Sequence, residues 1–252
     1  MLSIGLGSQP TTECGIFGSH QCLELDGNSD FVNLHGTILS AINPNAGTIS
    51  CWVNLRDNDG GTTQSMVRLA DDDTNNGMTL QFHRANTEFR AVYRLDGTYK
   101  EATYNDASFS LSDYFDQGWV HLAMTWTSNG EGVGEVKMYF NGQNSETVAQ
   151  TSNWGSDEID VARIGAHDDG ASGFTDGFID QVAIFNRTKD AYSIAAIYNE
   201  GVMRDLTTFH GRYYNTTGLL AYYQFEGNAL DSSGNGYHGT LIEEAGFNTT
   251  QP

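Results

Sequence analysis

Trp119-Val-His-Leu-Ala-Met-Thr-Trp-Thr127 is the stretch on which the reading of this chain turns. Its residues alternate, with Val120, Leu122, Met124 and Trp126 on one side of an extended chain and Trp119, His121, Ala123 and Thr125 on the other. Successive strand side chains point to opposite faces, so a period of two marks β structure. Thr48-Ile-Ser-Cys-Trp-Val-Asn54 repeats the period, with Ile49, Cys51 and Val53 together, as does Met78-Thr-Leu-Gln-Phe82. Val136-Lys-Met-Tyr-Phe140 runs into Asn141-Gly142 and then into a polar run ending at Val148. Asn-Gly between two strand-like runs predicts a hairpin.

Further strands are expected at Cys22–Leu25, Phe31–Leu34, Met66–Leu69, Phe89–Arg94, Val161–Ile164, Phe178–Phe185 and Leu219–Phe225. Turn chemistry separates them at Asp59-Gly60-Gly61, Asn76-Gly77, Asp96-Gly97 and Asp169-Gly170. Many short strands with such spacing mean a sandwich or a barrel. One helix is predicted near 190–199, where Ile194, Ile197 and Tyr198 fall at helical spacing and Gly201 supplies the stop. Residues 1–20 lack periodicity and are expected to form an extended arm; 21–201 make the body; 202–218 read as a polar connector to a final strand–loop–strand unit within 202–252.

Composition agrees with β structure: 29 Gly, 12 Tyr and 13 Phe against 3 Pro, with only 17% charged residues. Asp and Glu number 32 against 12 Lys and Arg, a formal charge of −20. So negative a surface opposes binding to nucleic acid or to anionic lipid, both of which need clustered cations. It reads either as a solvated, self-repelling surface or as acidic loops that bind cations. No apolar run is long enough to span a membrane, so no membrane insertion is expected. Met1–Pro10 has neither a basic segment nor a long apolar one and does not read as a secretory signal, so reduced thiols are expected. Cys14, Cys22 and Cys51 are an odd count; Cys51 falls in an apolar strand and reads as a small buried residue, while Cys14 and Cys22 are near enough to pair.

The strands also resemble a known family. Leu23-Glu-Leu-Asp-Gly-Asn-Ser-Asp-Phe-Val32, Thr48-Ile-Ser-Cys-Trp-Val53, Gly118-Trp-Val-His-Leu-Ala-Met-Thr-Trp126, Val136-Lys-Met-Tyr-Phe-Asn-Gly142, Arg163-Ile-Gly165 and Gly177-Phe-Ile-Asp-Gln-Val-Ala-Ile-Phe-Asn-Arg187 follow one another as in laminin-G-like, concanavalin A-like domains. The resemblance covers residues 22–201 and implies an all-β, concanavalin A-like jelly-roll sandwich of two antiparallel sheets. Leu219-Leu-Ala-Tyr-Tyr-Gln-Phe-Glu-Gly227 with Asp231-Ser-Ser-Gly-Asn-Gly-Tyr-His-Gly239 resembles the segment that normally opens such domains, here placed last. The displaced strand is expected to complete a sheet, its own or a neighbouring subunit's, or else to begin a second domain.

Domains with this late segment resemble structural proteins of tailed-phage virions. The resemblance thus implies a non-enzymatic virion component, a capsid decoration or fibre-type protein assembled in the host cytoplasm. Its partners would be other virion proteins and further copies of itself in a homo-oligomer, held by the N-terminal arm and the displaced strand. The alternative is an extracellular, calcium-dependent lectin-like module for cell-surface polysaccharide, or a glycoside hydrolase. A hydrolase of this architecture needs a carboxylate pair across the scissile bond. Glu158-Ile-Asp160 begins such a strand motif, but Ala162 and Arg163 stand where its last Glu belongs. No Gly-x-Ser-x-Gly or His-Glu-x-x-His motif is present, and His121 reads as a structural residue. The resemblance also implies a Ca²⁺ site at Asp26, Gly27 and Asp30 with Asp180, the other reading being that Asp180 accepts backbone bonds from the Asp26–Asp30 turn. Asp71-Asp-Asp-Thr-Asn-Asn-Gly77 is a second acidic loop with calcium-loop character but without the closing Glu. For sugar stacking the candidates are Trp154, in a loop-like stretch, and Tyr99, Tyr104 and Tyr114.

Overall fold

The alternating strand at 120–127 lies inside a sheet that is covered on both sides. The computed structural model describes residues 21–34, 36–56, 63–71, 76–105, 115, 118–128, 134–150, 154, 158–167, 172–209, 213 and 216–248. In chain order the strands are β1 (Cys22–Asp26), β2 (Phe31–Leu34), β3 (Ala46–Leu55), β4 (Thr63–Ala70), β5 (Gly77–His83), β6 (Glu88–Leu95), β7 (Thr98–Tyr104), β8 (Val120–Thr127), β9 (Glu135–Phe140), β10 (Gln143–Ala149), β11 (Val161–Ile164), β12 (Asp176–Phe185), β13 (Leu219–Tyr223), β14 (Gly239–Ile242) and β15 (Gly246–Asn248). Two short helices, α1 (Ile38–Ala41) and α2 (Ala191–Tyr198), complete the fold. One sheet runs β10-β9-β8-β3-β12-β1-β15, with β13 also on β12; the other runs β14-β2-β11-β4-β5-β6-β7. All ladders between these strands are antiparallel.

Leu122, Met124 and Trp126 of β8 meet Ile49, Cys51 and Val53 of β3 and Met78, Leu80 and Phe82 of β5 in the core between the sheets. The other face of the first sheet is also buried. Ala123, Tyr139, Ala183 and Phe185 pack under Ile194, Ala196 and Ile197 of α2 and under Leu206 and Tyr213. Trp52, Trp119 and Phe178 pack with Met203 and Tyr198. The segment expected to be a polar connector therefore supplies a second apolar layer. Helix α2 starts where the Asp190 side chain accepts the Ser193 N–H at 2.8 Å and ends at Asn199, with φ +51°. The β9–β10 hairpin turns on Asn141 and Gly142, both left-handed at φ +46° and +76°, as a two-residue hairpin with matching twist requires.

The C-terminal segment adds strands to both sheets of its own chain. β13 pairs with residues 182–185 of β12, and β1 pairs with residues 176–179 of the same strand. Both run antiparallel to β12 and share one side of it end to end. At their junction the Gln21 N–H donates to the Glu226 carboxylate at 2.9 Å. Asp231 then fixes the return of the chain, its Oδ1 accepting from the Tyr222 and Ser233 N–H groups and its Oδ2 from that of Tyr237. β14 pairs with β2 and β15 with β1, so one chain segment crossing between the sheets closes this side of both. The opposite side is closed by β7 and β10, where the Thr103 N–H and hydroxyl donate to Glu146 Oε2 at 2.6 and 2.9 Å.

Of the two sheets left open to the displaced strand, it completes its own, because its ladder is made within the chain. One expectation needs correction. Cys22 is disulfide-bonded rather than reduced, while Cys51 is free and buried. The expected arm, residues 1–20, lies outside the described residues. Among the described residues no helix is long and apolar enough to cross a membrane.

Candidate functional site

Register decides the fate of the expected calcium site. Asp26 stands opposite Asp176 on β12, whereas Asp180 stands opposite Trp52 on β3. Four residues of strand separate the two, roughly 13 Å. Asp26 closes a local turn through Gly27, its Oδ1 accepting from the N–H groups of Asn28, Ser29 and Asp30 at 2.8, 3.1 and 3.3 Å. Burial pushes the Asp26 carboxyl up, but those three N–H groups outweigh it and hold the group below the usual carboxylate range. Asp30 accepts the Glu244 N–H at 3.0 Å, tying the crossover between β14 and β15 to this turn. Asp180 is 1% exposed and accepts the N–H of its own neighbour Gln181 at 2.7 Å, not a bond from the Asp26–Asp30 turn. Burial, reinforced by the Glu226 charge, keeps the Asp180 carboxyl well above the usual range. Asp26, Gly27, Asp30 and Asp180 thus do not converge, and among the described residues no three Asp, Glu, His or Cys residues come together to hold an ion.

The stacking candidates separate as sharply. Trp154 is fully buried, its ring edge-on to Tyr93 at 6.2 Å and its backbone N–H donating to Asn45 Oδ1 at 2.8 Å. It is a core residue and presents no face to a ligand. Tyr104 stacks on Phe140 at 3.8 Å, joining β7 to β9 across the closed side. Tyr99 is 54% exposed, with the Arg94 guanidinium 4.7 Å from its ring centre. Tyr114 lies outside the described residues.

A cleft at one end of the sandwich was not legible beforehand. It has a volume of about 370 Å³ and is lined by Gly36, Leu39, Ser40, Ile42, Pro44, Glu158, Ile159 and Asp160. Its near wall is the β2–β3 connection, where Ile38 anchors α1 in the core and leaves Leu39 half-buried beside exposed Ser40. Its far wall is the lead-in to β11. The Asp160 N–H donates to the Ala70 carbonyl at 2.8 Å and Ile159 is buried, so the Glu158 and Asp160 side chains stand exposed on either side of it. The floor is held from behind, because the buried Tyr93 hydroxyl donates to the Pro44 carbonyl at 3.2 Å and Trp154 fixes Asn45. Apolar Leu39, Ile42 and Pro44 face a wall with two carboxylates. The one clue in the sequence was Glu158-Ile-Asp160, set aside because its third carboxylate was missing.

Two sheets in this order, with the late Gly177–Arg187 strand at the centre of one, match a known domain. A family profile, that of the concanavalin A-like lectin/glucanases superfamily, laminin-G type, covers residues 26–195. The chain belongs to the concanavalin A-like lectin/glucanase superfamily. Comparison with curated proteins finds no match. Among solved structures, this superfamily member is similar to a putative carbohydrate binding protein from Bacteroides ovatus, with TM-score 0.58 and 14% identity over 92% of this chain and 60% of the other. It is similar to the heptameric SAP-like pentraxin from Limulus polyphemus, with TM-score 0.53 and 11% identity over 90% and 96% of the two chains. It is also similar to the CBM40 of the Ruminococcus gnavus IT-sialidase, with TM-score 0.53 and 13% identity over 71% and 97%. At these identities the likeness is one of fold.

In this lectin/glucanase superfamily member the cleft carboxylates do not face each other. Glu158 and Asp160 stand two residues apart on one wall, and the opposite wall, of Gly36, Leu39, Ser40, Ile42 and Pro44, carries no carboxylate. Ala162, where a glucanase-type motif would carry its last Glu, is buried in the core. His121 is also remote from the cleft. It is fully buried on β8, with Nε2 2.8 Å from Ser50 Oγ and its ring edge-on to Trp52.

Burial drives the His121 pKa down to about 3. The unfolded chain therefore takes up this proton near pH 6.5 while the folded one does not. The stabilisation is complete above pH 6.5 and is lost as pH falls toward 3, at about 1.4 kcal/mol per pH unit. Urea unfolding of the wild type and His121→Gln at pH 7, 6 and 5 should show the wild type losing stability faster, by about half that slope between pH 7 and 6 and nearly all of it between pH 6 and 5. Parallel slopes would mean the ring is not the proton-linked group.

Proposed function

We propose that this chain is a non-catalytic carbohydrate-binding module whose sugar site is the cleft between Leu39–Pro44 and Glu158–Asp160. The two-walled lining carries this reading. A sugar ring has an apolar face, suited to Leu39, Ile42 and Pro44, and a rim of hydroxyl donors, suited to two carboxylates that only accept. Membership of a superfamily that includes lectins, and a fold shared with carbohydrate-binding proteins, support it. With both carboxylates on one wall, the cleft lacks an acid and a nucleophile on opposite sides of a bond.

A glycan array followed by calorimetry tests the proposal. The wild type should bind at least one glycan, and Glu158→Gln with Asp160→Asn should weaken it by about tenfold or more, the worth of a lost charge-assisted bond. Binding should survive EDTA, since Asp26, Asp30 and Asp180 do not converge. Unchanged affinity in the double variant would reject the site. Release of reducing ends by the wild type but not by Glu158→Gln would reject the non-catalytic reading.

The narrower reading, a tailed-phage virion component, rests on the resemblance of the late segment and on acidity. The pairing of β13, β14 and β15 within the chain removes the strand-donation argument for it. Mass spectrometry of purified particles tests it, and absence of the chain from them would end it.

A further inference from the structure

The cleft carries a polarity beyond its shape. Among the described residues its lining holds Glu158 and Asp160 but no Lys, Arg or His, and the chain as a whole has a formal charge of −20. An ionised carboxylate accepts hydrogen bonds and donates none. The far wall therefore asks for donors, while the near wall, with Leu39, Ile42 and Pro44, supplies no charge to offset an anion. A neutral ring satisfies the far wall through its hydroxyls. A ring bearing an ammonium group satisfies it with three donors and a favourable charge. A uronate or sialate sets acceptor against acceptor, and two like charges must lose water together. The negative field of the whole chain acts in the same direction on ligands still in solution.

We propose that the cleft selects among sugars by charge, taking amino sugars before neutral ones and rejecting carboxylated ones. This deepens the glycan-binding reading and rests on it. The selection comes from exposed groups, so salt screens it, whereas contact of the ring with the apolar wall is not screened. Raising the salt should flatten the order of preference without abolishing binding.

The experiment uses the whole chain and a panel of oligosaccharides in which each ring occurs as the neutral sugar, the 2-amino sugar and the uronate. At low salt the amino form should bind about tenfold more tightly than the neutral form, and the uronate at least as much more weakly. At 0.5 M NaCl the amino and neutral forms should converge. Glu158→Gln with Asp160→Asn should abolish the preference even where residual binding persists. Leu39→Ala should weaken all bound forms alike and keep their order. Melting temperatures of both variants establish that they fold. No binding of any ring in any charge form overturns the glycan-binding reading, and this inference with it. Binding in which the uronate equals or exceeds the neutral form, or in which the double variant keeps the amino preference, overturns the charge selection alone.

Discussion

Removal of residues 219–252 should abolish the cooperative melting transition. The segment carries Ala221, Tyr222, Tyr223 and Phe225, all 1% exposed or less. At about 1.5–3 kcal/mol for each large apolar side chain, the three aromatics alone are worth roughly 5–9 kcal/mol, comparable to the lower half of a typical domain's margin of about 5–15 kcal/mol. The loss also strips β13 from β12, β14 from β2 and β15 from β1, leaving backbone groups of three strands without partners. Circular dichroism melts and limited proteolysis of the two chains make the comparison. A truncated protein that stays monomeric and melts within a few degrees of the full chain would show that the segment is an appendage.

Gly177→Ala should cost about 3 kcal/mol or more, the second large effect. Gly177 has φ +133° in the middle of the sheet, and a Cβ there would lie 2.3 Å from the Asn54 carbonyl oxygen, 2.9 Å from Leu55 Cα and 3.0 Å from Arg56 N. These are backbone atoms of β3 and its continuation and cannot swing aside as a flexible side chain does. Gly97→Ala is the control. Its φ is +72°, but the added carbon meets nothing within 4 Å, so strain acts alone and the cost is about 1 kcal/mol. Urea unfolding measures both. A Gly177→Ala protein within 1 kcal/mol of the wild type would mean that β3 and β12 do not approach as described.

Strands that bury side chains announced themselves in the sequence, because burial enforces the period of two. β7 did not: of Thr98-Tyr-Lys-Glu-Ala-Thr-Tyr104 only Ala102 is buried, so an edge strand leaves no apolar pattern to read. Trp154 sits among Ser, Asn and Gly, and contacts distant in sequence, such as Tyr93 sixty-one positions earlier, make it core. The connector after α2 looked polar on average, yet single residues such as Leu206 and Tyr213 do the covering. Asp180 was rightly singled out as a carboxylate in an apolar strand. Its partners depend on register across β12, which its local sequence does not encode. The cleft joins two segments more than a hundred residues apart, neither of which has a motif by itself.

The end-to-end placement of β13 and β1 on β12 bears on how the molecule is made. The Gln21–Glu226 bond spans 205 positions and the Asp30–Glu244 bond spans 214. β1 and β2 must therefore wait for β14 and β15, so this sandwich cannot close until the chain has been made as far as Asn248. So non-local a set of pairings also makes for slow acquisition of the native state. During that delay the uncovered flanks of β1 and β2 are the surfaces a chaperone would have to guard.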